Sequence, residues 1–121
     1  MASIATNFFD DNKGFGLITY SDIQDGTQLF VADMIAVTDD NIPPYYYPNT
    51  IIDYKRRQYI DINYDSAFNR PLWTYLNSAN PARCCNVRAR HITDGGTLVR
   101  IVFYACRDID ANSELLMPYK Y

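Results

Sequence analysis

Apolar residues along this chain fall in short bursts, broken by glycine, proline and Asp/Asn punctuation; no long stripe of helical period appears. Phe15 to Tyr20 reads as a strand, and Thr27 to Val37 as one strand or two. Thr50 to Asn63 holds two further bursts, Ile51-Ile52 and Tyr59 to Ile62. Val87 to Ile92 and Leu98 to Cys106 flank Asp94-Gly95-Gly96, a strong hairpin signal because glycine tolerates the left-handed dihedrals of a tight turn. The final run, Glu114 to Tyr121, is short and apolar. The best helical window is Pro71 to Ser78, barely two turns, with Pro71 suited to the first turn, where its missing N–H costs nothing. The pattern therefore predicts a mostly-β fold of several short strands with one short helix. Pro43-Pro44-Tyr45-Tyr46-Tyr47-Pro48 resists a strand reading, since three prolines remove ladder donors. It is expected to be an ordered loop or edge, either covering one end of the core with aromatic surface or forming a lip for a peptide.

Composition narrows the class. The chain has 121 residues, one domain's worth, and residues 1–121 are expected to form a single domain. A hydrophobic fraction of 48% with 21% charged residues excludes global disorder. With 14 acidic against 11 basic residues the net charge is −3, which argues against direct nucleic-acid binding through bulk charge and suits a basic partner better. No apolar run is long enough to span a membrane, and Met1 to Asp11 lacks the basic and apolar regions of a signal peptide. Three cysteines, two of them adjacent, do not make a disulfide framework, and a single histidine without a Cys-x-x-Cys pair predicts no metal site. A reducing, intracellular compartment is expected. Tyrosine is in marked surplus, 11 residues against 6 phenylalanines.

Four pieces, in order, resemble a SET domain, the fold of many protein-lysine methyltransferases. Lys13-Gly14-Phe15-Gly16-Leu17, followed by Ile23-Gln24-Asp25-Gly26-Thr27, resembles the family's opening G-x-G and the glycine one hairpin later. Tyr59-Ile60-Asp61 resembles its central strand ending in an I-D pair. Tyr75-Leu76-Asn77-Ser78-Ala79-Asn80, with Asn86-Val87 shortly after, resembles the R-Y/F-x-N-H-S…N motif. Phe103-Tyr104-Ala105, Asp108-Ile109 and Glu114-Leu115-Leu116-Met117-Pro118-Tyr119 resemble the closing A-x-R-x-I-x-x-G-x-E-L-x-x-x-Y motif. The resemblance runs from about Gly14 to Tyr121. It departs from the family at Ser78, where relatives carry His, and at Ala79, where they carry Ser; there, and in Ala111-Asn112-Ser113-Glu114-Leu115-Leu116, it is similar to the PR-domain branch.

The resemblance implies a set of short, curled β-sheets with a threaded C-terminal tail. It implies S-adenosylmethionine as cofactor and a protein or peptide lysine as acceptor, a histone tail being the natural family substrate, and by the same token a nuclear location. Gly14, Phe15 and Gly16 would lie against the cofactor; read alone, without the other motifs, they are a plain hairpin turn. Asn77 would hydrogen-bond the cofactor's amino-acid end with the Ser78 backbone near its adenine; read alone, Asn77 is equally a buried amide capping the short helix. Tyr119 matches the catalytic tyrosine, while Tyr75, Tyr104, Met117 and Tyr121 are expected along the substrate channel. The chain ends two residues after Tyr119, so either the C-terminus, another subunit (a homodimer partner, for one) or the substrate would complete that channel, or the channel stays open. A catalytically inactive protein-binding module on the same fold is the alternative. Glu114 is expected to be a structural carboxylate before a strand, His91 a solvent-facing strand residue, and Lys55-Arg56-Arg57 a solvated turn or strand edge.

Overall fold

The computed structural model describes residues 3–12, 14–38, 51–64, 70–79 and 84–118. Tyr119, Tyr121 and the Pro43–Pro48 run lie outside the described residues.

Among the described residues, nine strands form two sheets. They are β1 (Ile4–Asp10), β2 (Gly14–Thr19), β3 (Gln28–Ala36), β4 (Ile52–Tyr54), β5 (Arg57–Asp61), β6 (Asn77–Ser78), β7 (Val87–Asp94), β8 (Thr97–Ala105) and β9 (Ser113–Met117). One sheet has the order β1-β2-β9-β6 and the other β4-β5-β3-β8-β7. The mostly-β expectation holds, with strands near the predicted bursts. Two strands were not in the expectation: β6, and β1, which buries no side chain fully and is held by antiparallel pairing to β2, Ile4 opposite Thr19 and Phe8 opposite Phe15.

The second sheet is built around the β7–β8 hairpin, which turns on Gly95 and Gly96, both at positive φ. Alternation on β8 sends Ile101, Phe103 and Ala105 into the core. There Trp73 stacks on Phe103 with ring centroids 5.2 Å apart. Tyr59, Ile52, Val87 and Leu98 complete that side, and Leu17 and Leu115 join from the first sheet. The connecting segments between the sheets are tied by reciprocal backbone hydrogen bonds between Ile23 and Ile109, both 2.8 Å.

The expected helix contracts to a 3₁₀ turn, Leu72–Tyr75. Leu76 is already extended, at φ −62° and ψ 123°, and the next two residues become β6. The cause is a non-local pairing: β6 lies parallel to β9, Asn77 opposite Leu116 and Ser78 opposite Met117. On its other side β9 pairs antiparallel with β2, Leu17 opposite Leu115. The C-terminal strand is thus threaded between two strands made much earlier in the chain. Asn86 secures it: its Nδ2 donates to the Glu114 carbonyl at 2.9 Å, and its Oδ1 accepts from the Leu116 N–H at 2.8 Å.

Two details on the second sheet decide smaller expectations. Lys55 and Arg56 form the β4–β5 turn as expected, with φ of 50° and 66°. His91 does not face solvent. It is half-buried against Tyr54, ring centroids 5.1 Å apart, and its Nε2 is buried without a hydrogen-bond partner among the described residues.

Candidate functional site

Threading β9 beside β2 and β6 brings three sequence-distant segments together. Gly14 opens β2 at φ +71°, a dihedral that glycine adopts without penalty. Phe15 follows with its ring 56% exposed and edge-on to Phe8 at 5.3 Å. Gly16 is buried, for a different reason: a Cβ there would lie 2.5 Å from Asn77 Nδ2, 2.5 Å from Glu114 Oε2 and 2.9 Å from Phe9. The site needs the missing side chain because β6 and β9 carry their polar groups directly over it.

Those groups are hydrogen-bonded to one another. Asn77 Nδ2 donates to Glu114 Oε2 at 2.9 Å and to the Phe15 carbonyl at 3.2 Å. Asn77 is therefore not a helix cap; it lies on a two-residue strand with its amide directed at the G-x-G segment. Glu114, expected as a surface or structural carboxylate, is half-buried within β9 and is tied through Asn77 to the G-x-G segment. The signal was present in the closing motif, but its meaning depends on a partner 37 positions upstream.

The remaining candidates are dispersed. Ser78 is exposed beside Asn77. Tyr75 is half-buried, and the Arg70 guanidinium lies 4.3 Å from its ring centroid. Met117 is 2% exposed and joins the hydrophobic core. Tyr104 belongs to the other sheet, where it lines a groove with Gly26, Gln28, Arg90 and Val102. The structure thus brings Gly14, Phe15, Gly16, Asn77 and Glu114 together and does not bring Tyr104 to them.

Chemically the cluster is rich in acceptors: a carboxylate, a main-chain carbonyl and the Asn77 amide oxygen, beside an exposed aromatic ring and, at Gly14, a backbone with open space where a Cβ would be. Such a set suits a ligand that carries positive charge at one end and an apolar or aromatic body elsewhere.

A family model for the SET domain matches residues 14–120. Among curated proteins, none matches the chain in sequence. Among solved structures, the fold is similar to a Plasmodium falciparum protein provisionally named a histone methyltransferase, with a TM-score of 0.65 and 12% identity, covering 100% of this chain and 96% of that one. It is also similar to a chain of ctPRC2, solved in an autoinhibited conformation bound to S-adenosylmethionine, with a TM-score of 0.66 and 19% identity; the match covers 98% of this chain and 15% of that one.

Proposed function

This chain belongs to the SET-domain family, and from that premise we propose that it transfers a methyl group from S-adenosylmethionine to the side-chain amine of a protein lysine, with a basic histone-like tail as substrate. The observation that carries the reading is the convergence of Gly16, Asn77 and Glu114, drawn from the family's opening, middle and closing motifs, into one hydrogen-bonded cluster.

The residues present fit the cofactor. Acceptors gathered at Asn77, Glu114 and the Phe15 carbonyl favour a cationic ligand. The exposed Phe15 ring offers an apolar cover, and the free space at Gly14 admits a ligand close to the backbone. When bound, the cofactor supplies an electrophilic methyl group. The protein must then deliver the amine neutral and in line. A free lysine has a pKa near 10.4, so at pH 7 about one in a few thousand is neutral, a cost of roughly 4–5 kcal/mol. Apolar and aromatic walls lower that cost by disfavouring the ammonium form, and the tyrosine surplus supports such walls. Tyr119 is the residue assigned to orient the amine.

Calorimetric titration with S-adenosylmethionine tests the first half of the reading and needs no guess about substrate. Binding that weakens in Asn77→Ala supports it. Transfer of labelled methyl to histone-tail peptides tests the second half, with Tyr119→Phe expected to slow transfer about 100-fold while the fold survives. A non-catalytic protein-binding module is the second reading, favoured by Ser78-Ala79 in place of the family's His-Ser. Cofactor binding without transfer to any lysine peptide would favour it.

A further inference from the structure

We propose that the outer face of the second sheet is a docking surface for a short acidic segment of a partner protein, with Arg88 and Arg90 as its anchors. The inference is independent of the methyl-transfer reading and uses none of the residues on which that reading rests.

Alternation along β8 turns Ile101, Phe103 and Ala105 into the core and sets Val102 and Tyr104 on the opposite face. The pairing registers extend that face in cross-strand rows: Gln28, Tyr104 and Arg88 in one, Val31, Val102 and Arg90 in the next. Gln28, Arg90, Val102 and Tyr104, with Gly26, line a groove of about 280 Å³. β7 is the last strand of its sheet, so among the described residues Arg88 and Arg90 stand at an open edge, and both are exposed. The net charge of −3 suits basic partners, yet this face carries the opposite sign. Its third arginine, Arg100, is matched by Asp33 at 2.9 Å. The side chains of Arg88 and Arg90 have no hydrogen-bond or ion-pair partner among the described residues.

Three features select the occupant. Alternate residues of an extended chain repeat at about 6.6–6.8 Å, so a segment laid along β7 with a carboxylate at every second position meets both guanidinium groups. The Tyr104 hydroxyl and the Gln28 amide share the groove of Arg90 and can donate to the same carboxylate. At the Gly26 end the charge reverses: Asp25 and Asp108 are exposed there, tied by a 2.8 Å bond from the Asp25 N–H to Asp108 Oδ1. A long polyanion such as a nucleic-acid strand runs into those carboxylates, whereas a short acidic segment stops before them. A second copy of this chain fits worse, because a two-fold contact through this face sets its arginines against themselves.

Fluorescence anisotropy of the full chain with a labelled peptide alternating glutamate and threonine is the test. The peptide should bind with a Kd of about 10–100 μM. Arg88→Gln or Arg90→Gln should weaken binding about threefold, and the two together about 10-fold. Arg57→Gln removes the same charge from β5, outside this face, and should leave affinity within about twofold. Arg88 and Arg90 have no partner to lose, so the variants should fold, which thermal melts check. An equal loss of affinity in Arg57→Gln and in the double variant overturns the inference, since net charge alone then accounts for binding. Failure of the unaltered chain to bind the peptide at roughly 1 mM also overturns it. So does tighter binding of oligothymidylate through the same two arginines, which assigns the face to nucleic acid. A dimer in sedimentation equilibrium that Arg90→Glu dissolves overturns it in favour of a second copy.

Discussion

The indole N–H of Trp73 donates a 2.7 Å hydrogen bond to Oδ2 of Asp61, a carboxylate only 3% exposed. The contact joins the end of β5 to the turn that leads into Asn77, and the other oxygen of Asp61 accepts from the Asn63 backbone N–H at 2.8 Å. Asp61→Ala strands two donors, one of them fully buried. It should destabilise the protein by about 2–4 kcal/mol in urea unfolding and weaken cofactor binding through the displaced turn. Trp73→Phe keeps an aromatic ring against Phe103 but leaves the carboxylate one donor short, so it too should cost about 2 kcal/mol.

Gly14 and Gly16 should respond differently to the same substitution. Gly14→Ala meets open space and suffers only its left-handed backbone, a cost of about 1–2 kcal/mol with the Asn77–Glu114 bond intact. Gly16→Ala drives a methyl against that bond. Its cost should be about 1–3 kcal/mol, and cofactor affinity should fall with it. Thermal melts and calorimetry on the two variants separate the effects.

Asn86 extends the pairing of β9 beyond the two-residue β6, donating to one residue's carbonyl and accepting from the N–H two residues on. Asn86→Ala leaves both groups unpaired and should cost about 2–3 kcal/mol. Asn86→Asp keeps the acceptor for Leu116 but sets a carboxylate oxygen against the Glu114 carbonyl, so it should be no milder. Chemical denaturation of both variants checks the order.

Burial lowers the pKa of His91 below its ordinary value near 6.5. The unfolded chain therefore binds the proton more readily than the folded one. The stabilisation tied to neutral His91 is fully present above the ordinary value and is lost as pH falls through the lowered one. His91→Phe, which retains an aromatic ring against Tyr54, should flatten the stability profile as pH falls below the ordinary histidine value. Denaturation midpoints across that range would show it; an unchanged slope would assign the dependence to other groups.

The parts of the fold legible in the sequence were those with local causes. The β7–β8 hairpin announces itself through alternation on both strands and two glycines at its turn. β1 does not, because it is an edge strand with few buried side chains, held by backbone pairing to β2. The helical window failed at Leu76 for a similar reason: β9, some 40 positions away, recruits Asn77 and Ser78 as a strand. Gly14, Phe15, Gly16 and Asn77 were reached through ordered motifs, and the structure brings them together. Glu114 was expected as a surface or structural carboxylate because nothing beside it in sequence shows what its carboxylate accepts. His91 was misjudged because its cover, Tyr54, comes from another strand.

The position of β9 has a consequence for biosynthesis. A central strand of the first sheet, β9, is translated after every other strand among the described residues, so β2 must wait on the ribosome with one edge open until residue 117 has cleared the exit tunnel. The Asn77–Glu114 pair cannot form before then. Any nascent chain stalled short of Ser113 can complete the β7–β8 hairpin but has no cofactor cradle, and it exposes an unpaired strand edge of the kind that chaperones bind.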